Sequence, residues 1–265
     1  MTDPGPSADE VVLVTTEGRA ATVTINRPSA RNALNRDVQR LLPQVLGRLD
    51  EDDEIDVIIL TGTDPAFSAG VDLKELAAGG SGAFDLVRAK DQRGPFPPMV
   101  KPLIGAINGV AVTGGFELAL ACDFLVASEH ARFADTHSRV GVMPGWGLTV
   151  LLPQAIGVRR AREMSVTGNY INAETAYDWG LVNHVVAHDE LLPFAHQLAN
   201  DIVSNDQAGV RQMLDTYERV TSTTASEGWA IETAVSRSWL GNGLDATTIE
   251  ANRKKVLDRG RAQQN

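Results

Sequence analysis

Short apolar runs bounded by turn residues constrain the fold of this chain more than any other sequence feature. Three of them are Asp56–Leu60 (DVIIL), Lys101–Ile107 (KPLIGAI) and Phe124–Ala127 (FLVA). Runs this short without polar alternation are typical of buried strands. Helical patterns separate them, including one near Asp37–Leu49, one from about Val71 and the run GGFELALAC. Strands that alternate with helices predict an α/β architecture.

The pattern changes at both ends of the chain and once between them. Residues 11–25 predict two strands joined at Glu17-Gly18, and Gly79–Gly82 is a flexible Gly/Ser-rich break. From about Leu191 the strand signals stop, and four amphipathic helical segments follow. We therefore predict a disordered tail over residues 1–10, a core over residues 11–200 and a C-terminal helical region over residues 201–265.

Composition and charge limit the classes of function. The chain of 265 residues has a formal net charge of −10, which argues against a nucleic-acid partner. It has no apolar stretch long enough to span a bilayer, and its start, MTDPGPSADE, lacks the signal-peptide pattern, so we expect no membrane partner. The single cysteine, Cys122, lies in the apolar run LALACDF, which fits a core position and a reducing, cytoplasmic compartment.

Two loops of small residues, in PAFSAGVDL and VTGGFELAL, each precede a predicted helix. A helix N-terminus presents backbone N–H groups without internal partners, and small residues let a ligand approach them. If the two loops lie side by side, the N–H groups of Ala69 and Gly114 could converge on one oxygen as an oxyanion hole. Taken singly, each loop is more simply a tight turn. Neither contains a dinucleotide-binding or P-loop motif.

Glu117 places a carboxylate in an otherwise apolar run, between Phe116 and Leu118. A carboxylate in apolar surroundings has a raised pKa and suits proton transfer near neutral pH. We interpret Glu117 as a catalytic acid or base. The alternative is a glutamate that complements the dipole at a helix start.

The chain resembles the crotonase (enoyl-CoA hydratase/isomerase) superfamily. The matching segments, in the family's order, are NRPSARNALN, IILTGTDPAFSAGVDLKEL, KPLIGAINGVAVTGGFELALACDFLVAS, ARFADTHSRVGVMPG and TGNYINAETAYDWGLVNHVV. The resemblance implies a ββα spiral core and a C-terminal helical region that trimerises, often into a dimer of trimers.

The resemblance also implies an acyl-CoA thioester as ligand, with coenzyme A as part of the substrate and no other cofactor or metal. The thioester oxygen would lie between the N–H groups of Ala69 and Gly114. The implied substrate contacts are Arg31, Ala33, Ala69, Gly70, Val71, Asp72, Leu73, Gly114 and Trp146. Arg31 has the alternative of a solvated loop residue. Trp146, in PGWG, would stand near the acyl pocket, or it is an ordinary half-buried tryptophan.

The chain departs from the family pattern at His137. Hydratases of the family usually carry two glutamates that hold one water, one taking a proton from it and the other helping to deliver a proton to Cα. Glu117 matches the first glutamate, and His137 aligns with the second. The nearby acid Asp135 is offset by two residues in a loop, which leaves its direction open.

Four interpretations of His137 follow. It replaces the glutamate, since an ordinary histidine pKa of about 6.5 permits acid/base work. In the second interpretation, Glu117 acts alone, because one base suffices for isomerisation or weak hydration. In the third interpretation, catalysis has been lost and the site binds acyl-CoA without turnover. Lastly, His137 is structural and hydrogen-bonds within its own loop.

The resemblance therefore implies an enoyl-CoA hydratase-like lyase that stabilises an enolate, with Glu117 as acid/base and His137 as a candidate partner. The alternatives are an isomerase, decarboxylase or thioester hydrolase of the same superfamily, or a non-catalytic acyl-CoA-binding protein. Acyl chain length and the choice between trimer and hexamer stay open. His184 and His188 have zinc-like spacing but strand-like surroundings, and Ser68 lies in a loop that the family uses through its backbone, so neither a metal site nor a serine nucleophile is predicted.

Overall fold

The computed structural model describes residues 11–79, 94–241 and 246–262. The chain forms two compact units, one ending at Val210 and one beginning at Arg211. The boundary predicted near residue 200 falls inside a helix, Leu191–Val203. The predicted tail over residues 1–10 and the break after Gly79 lie outside the described residues.

The described residues of the first unit alternate strands and helices, as predicted. The strands are β1 (Val12–Glu17), β2 (Ala20–Ile25), β3 (Val57–Gly62), β4 (Ala66–Ser68), β5 (Leu103–Ile107), β6 (Val110–Val112), β7 (Phe124–Ser128), β8 (Arg132–Ala134), β9 (Ile171–Asn172) and β10 (His184–Val186). The α-helices of the described residues are α1 (Arg36–Glu51), α2 (Leu73–Gly79), α3 (Gly114–Leu120), α4 (His137–Val140), α5 (Leu148–Ile156), α6 (Val158–Thr167), α7 (Ala173–Asp178), α8 (Leu191–Val203), α9 (Gln207–Thr221), α10 (Ala225–Gly241) and α11 (Ala246–Ala262).

The larger sheet has six strands in the order β1-β2-β3-β5-β7-β10. β1 and β2 form the predicted antiparallel hairpin, and the remaining neighbours pair in parallel. Alternate residues of β3 face opposite ways. Ile59 belongs to one apolar cluster with Ala195 of α8, while Ile58 belongs to a separate cluster that includes Leu46 of α1. Because both faces of the sheet are covered, its central strands are apolar without alternation.

A second sheet, in the order β4-β6-β8-β9, was not predicted from the sequence, which placed β4 and β8 in loops. β4, β6 and β8 have three residues each, too short to show a strand period. β4 pairs in parallel with β6, and β6 pairs in parallel with β8. The carboxyl ends of β4 and β6 therefore meet at one edge of this sheet, and the two glycine loops begin there.

The four C-terminal helical segments are confirmed as α8 to α11. The second unit holds most of α9 together with the described parts of α10 and α11. Within the described ranges, no helix combines the length and apolar composition needed to cross a membrane.

Close backbone contact between the two glycine loops predicts a large effect of one added methyl group. A Cβ at Gly115 would lie 2.4 Å from the carbonyl oxygen of Ser68, well inside contact distance. We expect Gly115→Ala to lower the free energy of unfolding by about 1–3 kcal/mol, the usual cost of overpacking. Urea unfolding followed by circular dichroism measures this change.

Gly47→Ala, in α1, is the matched control. A Cβ there would meet the Pro97 side chain at an ordinary 3.6 Å. Since alanine favours a helix over glycine by up to about 1 kcal/mol, this variant should be neutral or more stable. Equal unfolding midpoints for the two variants would contradict the close approach of the loops.

Candidate functional site

The two glycine loops lie side by side, as an oxyanion hole requires. Gly70 follows β4 with a φ of 80°, and a Cβ there would overlap the Thr113 side chain that follows β6. Gly115 approaches the Ser68 backbone equally closely. Only glycine fits at these two positions, so the sequence itself provides the space that brings the loops together.

Gly114 is the first residue of α3 and follows a strained residue. Thr113 has φ 48° and ψ −123°, a conformation that residues with side chains rarely adopt. Its carbonyl oxygen accepts a hydrogen bond from Glu117 N–H at 2.9 Å, which starts the helix. Among the described residues, no acceptor is bonded to the N–H of Gly114, as expected for the first turn of a helix.

Ala69, the other predicted donor, already has a backbone partner. Its N–H donates to the carbonyl oxygen of Arg31 at 2.9 Å. The sequence analysis took this N–H as free, and the contact with Arg31 corrects that assumption. A ligand oxygen would share the N–H of Ala69 with Arg31 or displace Arg31 from it.

Glu117 is buried, with only 3% of its surface exposed. Its Oε1 accepts hydrogen bonds from the backbone N–H groups of Trp146, at 2.7 Å, and Leu148, at 3.4 Å. These donors belong to the segment that enters α5, so this segment fixes the direction of the carboxylate. Oε1 is saturated by the backbone, and Oε2 is the oxygen left for other chemistry.

His137 lies between two carboxylates and is itself buried. Its Nε2 is 3.5 Å from Oε2 of Glu117, and its Nδ1 is 2.6 Å from Oδ1 of Asp135. The backbone N–H of His137 also donates to Asp135 Oδ1, at 3.2 Å. The direction of Asp135, open from sequence, is therefore toward His137. The three side chains form one chain in the order Asp135, His137, Glu117.

The two carboxylates keep His137 charged. Burial alone would lower the pKa of His137, but hydrogen bonds and charge interactions with Asp135 and Glu117 outweigh it and raise the pKa to about 9. Burial alone would likewise raise the pKa of Asp135, yet hydrogen bonds from His137 and Ser165 lower it. At neutral pH the site therefore holds an imidazolium, which is an acid as it stands.

A pocket opens beside this chain of side chains. It is lined by Ala69, Val71, Leu73, Leu76, Thr113, Glu117, Thr136, His137, Val140, Val142, Met143, Gly145 and Trp146. The Trp146 side chain reaches Gly114, where an added Cβ would lie 3.1 Å from Cζ3 of the indole. Trp146 therefore lies on the wall of this pocket. Most of the wall is apolar, while Glu117 and His137 supply the charged groups.

Some of the other predicted substrate contacts line the pocket, and others do not. Val71 and Leu73 line the pocket, whereas Arg31 is exposed and Ala33 and Gly70 are buried. Asp72 is used within the protein. Its carboxylate is 3.1 Å from the Arg27 guanidinium and accepts hydrogen bonds from N–H groups at the start of α2, which lower its pKa against the effect of burial.

The structure also gives the positions of the histidine pair and of the serine that the sequence analysis considered. His184 lies in β10 and His188 in a 3-10 turn, so their spacing is not that of one helix face. Ser68 is buried, and its hydroxyl donates to the Asn32 carbonyl at 2.8 Å, away from any histidine. Across the described ranges, no cluster of His, Cys, Asp or Glu could hold a metal ion.

Sequence reasoning missed the donors that hold Glu117 and the direction of Asp135. Trp146 was singled out for its indole, yet the group that contacts the Glu117 carboxylate is its backbone N–H, at 2.7 Å. The spacing Asp-x-His offered a signal for Asp135, because an aspartate often accepts from the N–H two residues later.

Comparisons with known proteins identify the family of the chain. A sequence model of the family described as enoyl-CoA hydratase/isomerase matches residues 15–242. The probable peroxisomal enoyl-CoA hydratase 1 of Arabidopsis thaliana is 43% identical over 200 residues, which cover 73% of this chain and 72% of the relative. The short-chain-enoyl-CoA hydratase of Clostridium acetobutylicum is 39% identical over 204 residues, covering 76% and 78%.

Solved structures give the same picture. An enoyl-CoA hydratase from Mycobacterium tuberculosis H37Rv is 50% identical with a TM-score of 0.74, over 86% of this chain and 98% of that one. An enoyl-CoA hydratase from Bacillus anthracis is 31% identical with a TM-score of 0.85, over 92% and 96% of the two chains.

The charge on His137 predicts a pH-dependent stability. Because its folded pKa of about 9 exceeds the unfolded value near 6.5, His137 stabilises the fold fully below about pH 6.5 and loses this contribution as pH rises through 9. The free energy of unfolding should fall by up to about 3 kcal/mol across this window. Urea unfolding at several pH values measures the fall, and NMR of the histidine ring carbons gives the pKa directly.

His137→Gln is the matched variant for this titration. It removes the His137 ring signal from the NMR spectrum, which assigns that signal. It should also flatten the dependence of the free energy of unfolding on pH between about pH 6.5 and 9. A wild-type His137 that titrates near 6.5, or a profile unchanged by the substitution, would contradict the charged state.

Proposed function

The chain belongs to the enoyl-CoA hydratase/isomerase family, with the crotonase-like α/β fold that its sequence predicts, and we propose that it adds water to the double bond of a 2-enoyl-CoA thioester. The observation that carries the proposal is the buried contact between Glu117 Oε2 and His137 Nε2, 3.5 Å apart on the pocket wall. Hydration needs one group to take a proton and another to give one, and this pair supplies both.

Glu117 is the proposed base. Two backbone N–H groups hold Oε1, so Oε2 faces the pocket beside His137. Oε2 takes one proton from the attacking water while the water oxygen bonds to Cβ of the substrate. The π electrons of the double bond move toward the thioester, where negative charge develops on the carbonyl oxygen.

His137 is the proposed acid. Its charged ring gives the Nε2 proton to Cα, which completes the addition of H and OH. Glu117 is then protonated and His137 neutral. Because Oε2 and Nε2 are 3.5 Å apart, the proton passes from Glu117 back to His137 and restores both groups for the next turnover. No oxidant, metal or further cofactor is needed beyond the coenzyme A of the substrate.

Gly114 is the proposed donor to the thioester oxygen. It begins α3 without a backbone acceptor among the described residues and lies next to Glu117 in the first turn. One such donor typically contributes about 10²–10³ in rate. Ala69 is the proposed second donor. Its N–H donates to the thioester oxygen when it leaves the Arg31 carbonyl or is shared between the two oxygens.

The proposed path of coenzyme A runs past Arg31, Ala33 and the segment 69–73 toward the pocket. Leu73, on this path, is exposed where α2 begins and lines the pocket. The Trp146 indole narrows the acyl end, which favours short acyl groups. A series of enoyl-CoA substrates of increasing chain length tests this preference. Equal kcat/KM for short and long chains would contradict it.

The loss of either partner predicts a large fall in rate. We expect Glu117→Gln and His137→Gln each to lower kcat by about 10²–10⁴, the contribution of a positioned acid or base. The loss of absorbance of a conjugated enoyl-CoA follows the reaction. The assay contains only enzyme, thioester and buffer.

Matched controls are available in the same chain. Glu174 stands in the first turn of α7, like Glu117 in α3, but is exposed, so Glu174→Gln should leave kcat unchanged. His184→Gln changes an exposed histidine in the same way. A full rate in Glu117→Gln would overturn the proposal. Tight acyl-CoA binding without turnover in the wild type would favour the non-catalytic carrier, and loss of conjugation without uptake of water would favour an isomerase.

We also propose a homotrimer or a dimer of trimers, formed through the C-terminal helices over residues 201–265. Large apolar side chains of these helices are exposed, namely Met213, Tyr217, Trp229, Trp239, Leu240, Ile249, Val256 and Leu257. Exposed apolar surface of this kind marks association sites. Light scattering should give the mass of three or six chains, and a monodisperse monomer would overturn the assembly. A cytoplasmic location is proposed as well and is checked by cell fractionation.

A further inference from the structure

We propose that Asp135 is a positioning residue that holds His137 in its doubly protonated form and aims its Nε2 proton at the substrate. The inference rests on the proposed hydration and deepens it. It assigns a role to a residue that does not itself line the pocket but contacts the histidine that does. The acid of the reaction is then a pair, Asp135 with His137, in place of a single carboxylic acid.

The surroundings of Asp135 fix it in place. The residue is 2% exposed, directly after β8, and its Oδ1 accepts both the backbone N–H and the Nδ1–H of His137, at 3.2 and 2.6 Å. The Ser165 side chain, on α6, also favours the charged form of Asp135 and so lowers its pKa. The carboxylate therefore cannot turn away without losing both donors of His137.

This contact decides which proton His137 can give. With Nδ1–H bonded to a carboxylate, Nδ1 is a donor, and the second ring proton is placed on Nε2, which faces Glu117. Without the charge of Asp135, the ring would be neutral near pH 8, and Nε2 would be free to accept a proton instead of giving one. The carboxylate thus sets the direction of proton transfer.

The groups that act on His137 are few. Glu117 faces it from α3 and Asp135 from the end of β8, and both favour the charged ring. Arg139, on α4 with His137, donates instead to the Thr167 carbonyl and to the Asn169 side chain. Removing Asp135 therefore leaves Glu117 as the remaining support of the charge.

A pH profile of kcat for Asp135→Asn separates positioning from mere structure. If the pKa of His137 falls from about 9 to its ordinary value near 6.5, the charged fraction at pH 8 falls about 30-fold, while at pH 6 it hardly changes. Since Glu117 remains, we expect kcat about 10–30-fold lower at pH 8, within about twofold at pH 6, and KM little altered.

The matched control is Asp64→Asn. Asp64 also contacts a histidine, with Oδ2 3.1 Å from Nε2 of His188, but that pair lies outside the pocket. This variant should keep the wild-type pH profile.

NMR titration of His137 keeps the test independent of turnover. A lower pKa in Asp135→Asn together with the shifted kcat profile supports the proposal. A uniform loss of kcat at every pH, or an unmoved pKa of His137, overturns it while hydration stands. A wild type that hydrates no enoyl-CoA overturns the proposed function, and the titration then decides separately whether Asp135 controls the charge of His137.

Discussion

The carboxylate of Glu117 is buried among apolar side chains, and everything at the site depends on how that burial is compensated. A carboxylate removed from water is costly unless each oxygen has a partner. Here the backbone N–H groups of Trp146 and Leu148 satisfy Oε1, and the His137 ring faces Oε2. The partners come from the start of α5 with the residues just before it, and from α4, so Glu117 on α3 also links three parts of the first unit.

The second sheet is what makes this compensation possible. Parallel pairing of β4, β6 and β8 places three loops at one edge, and each loop supplies one part of the site. The loop after β4 brings Ala69, the loop after β6 leads to Gly114 and Glu117, and the segment after β8 brings Asp135 and His137. Ligand sites beyond the carboxyl ends of parallel strands follow the general rule for α/β folds.

The sequence predicted the fold class and singled out Glu117, because both leave local signals. Buried strands such as β3 and β5 are apolar without alternation, and a glutamate within GGFELAL stands out against its neighbours. The second sheet left no such signal, since its strands are too short to show a period. Likewise, the partner of Ala69 N–H is the distant carbonyl of Arg31, and contacts of that range depend on tertiary structure alone.

Trp146 joins two properties of the site that are usually separable. Its backbone N–H holds Glu117 while its indole closes the pocket near Gly114. The side chain can therefore vary, and with it the space for a substrate, as long as the amide hydrogen stays in place. Proline, which lacks that hydrogen, is the residue that this position cannot accept without releasing the acid. Substitutions at Trp146 can therefore change the shape of the pocket while the hydrogen bond from its backbone to Glu117 stays in place.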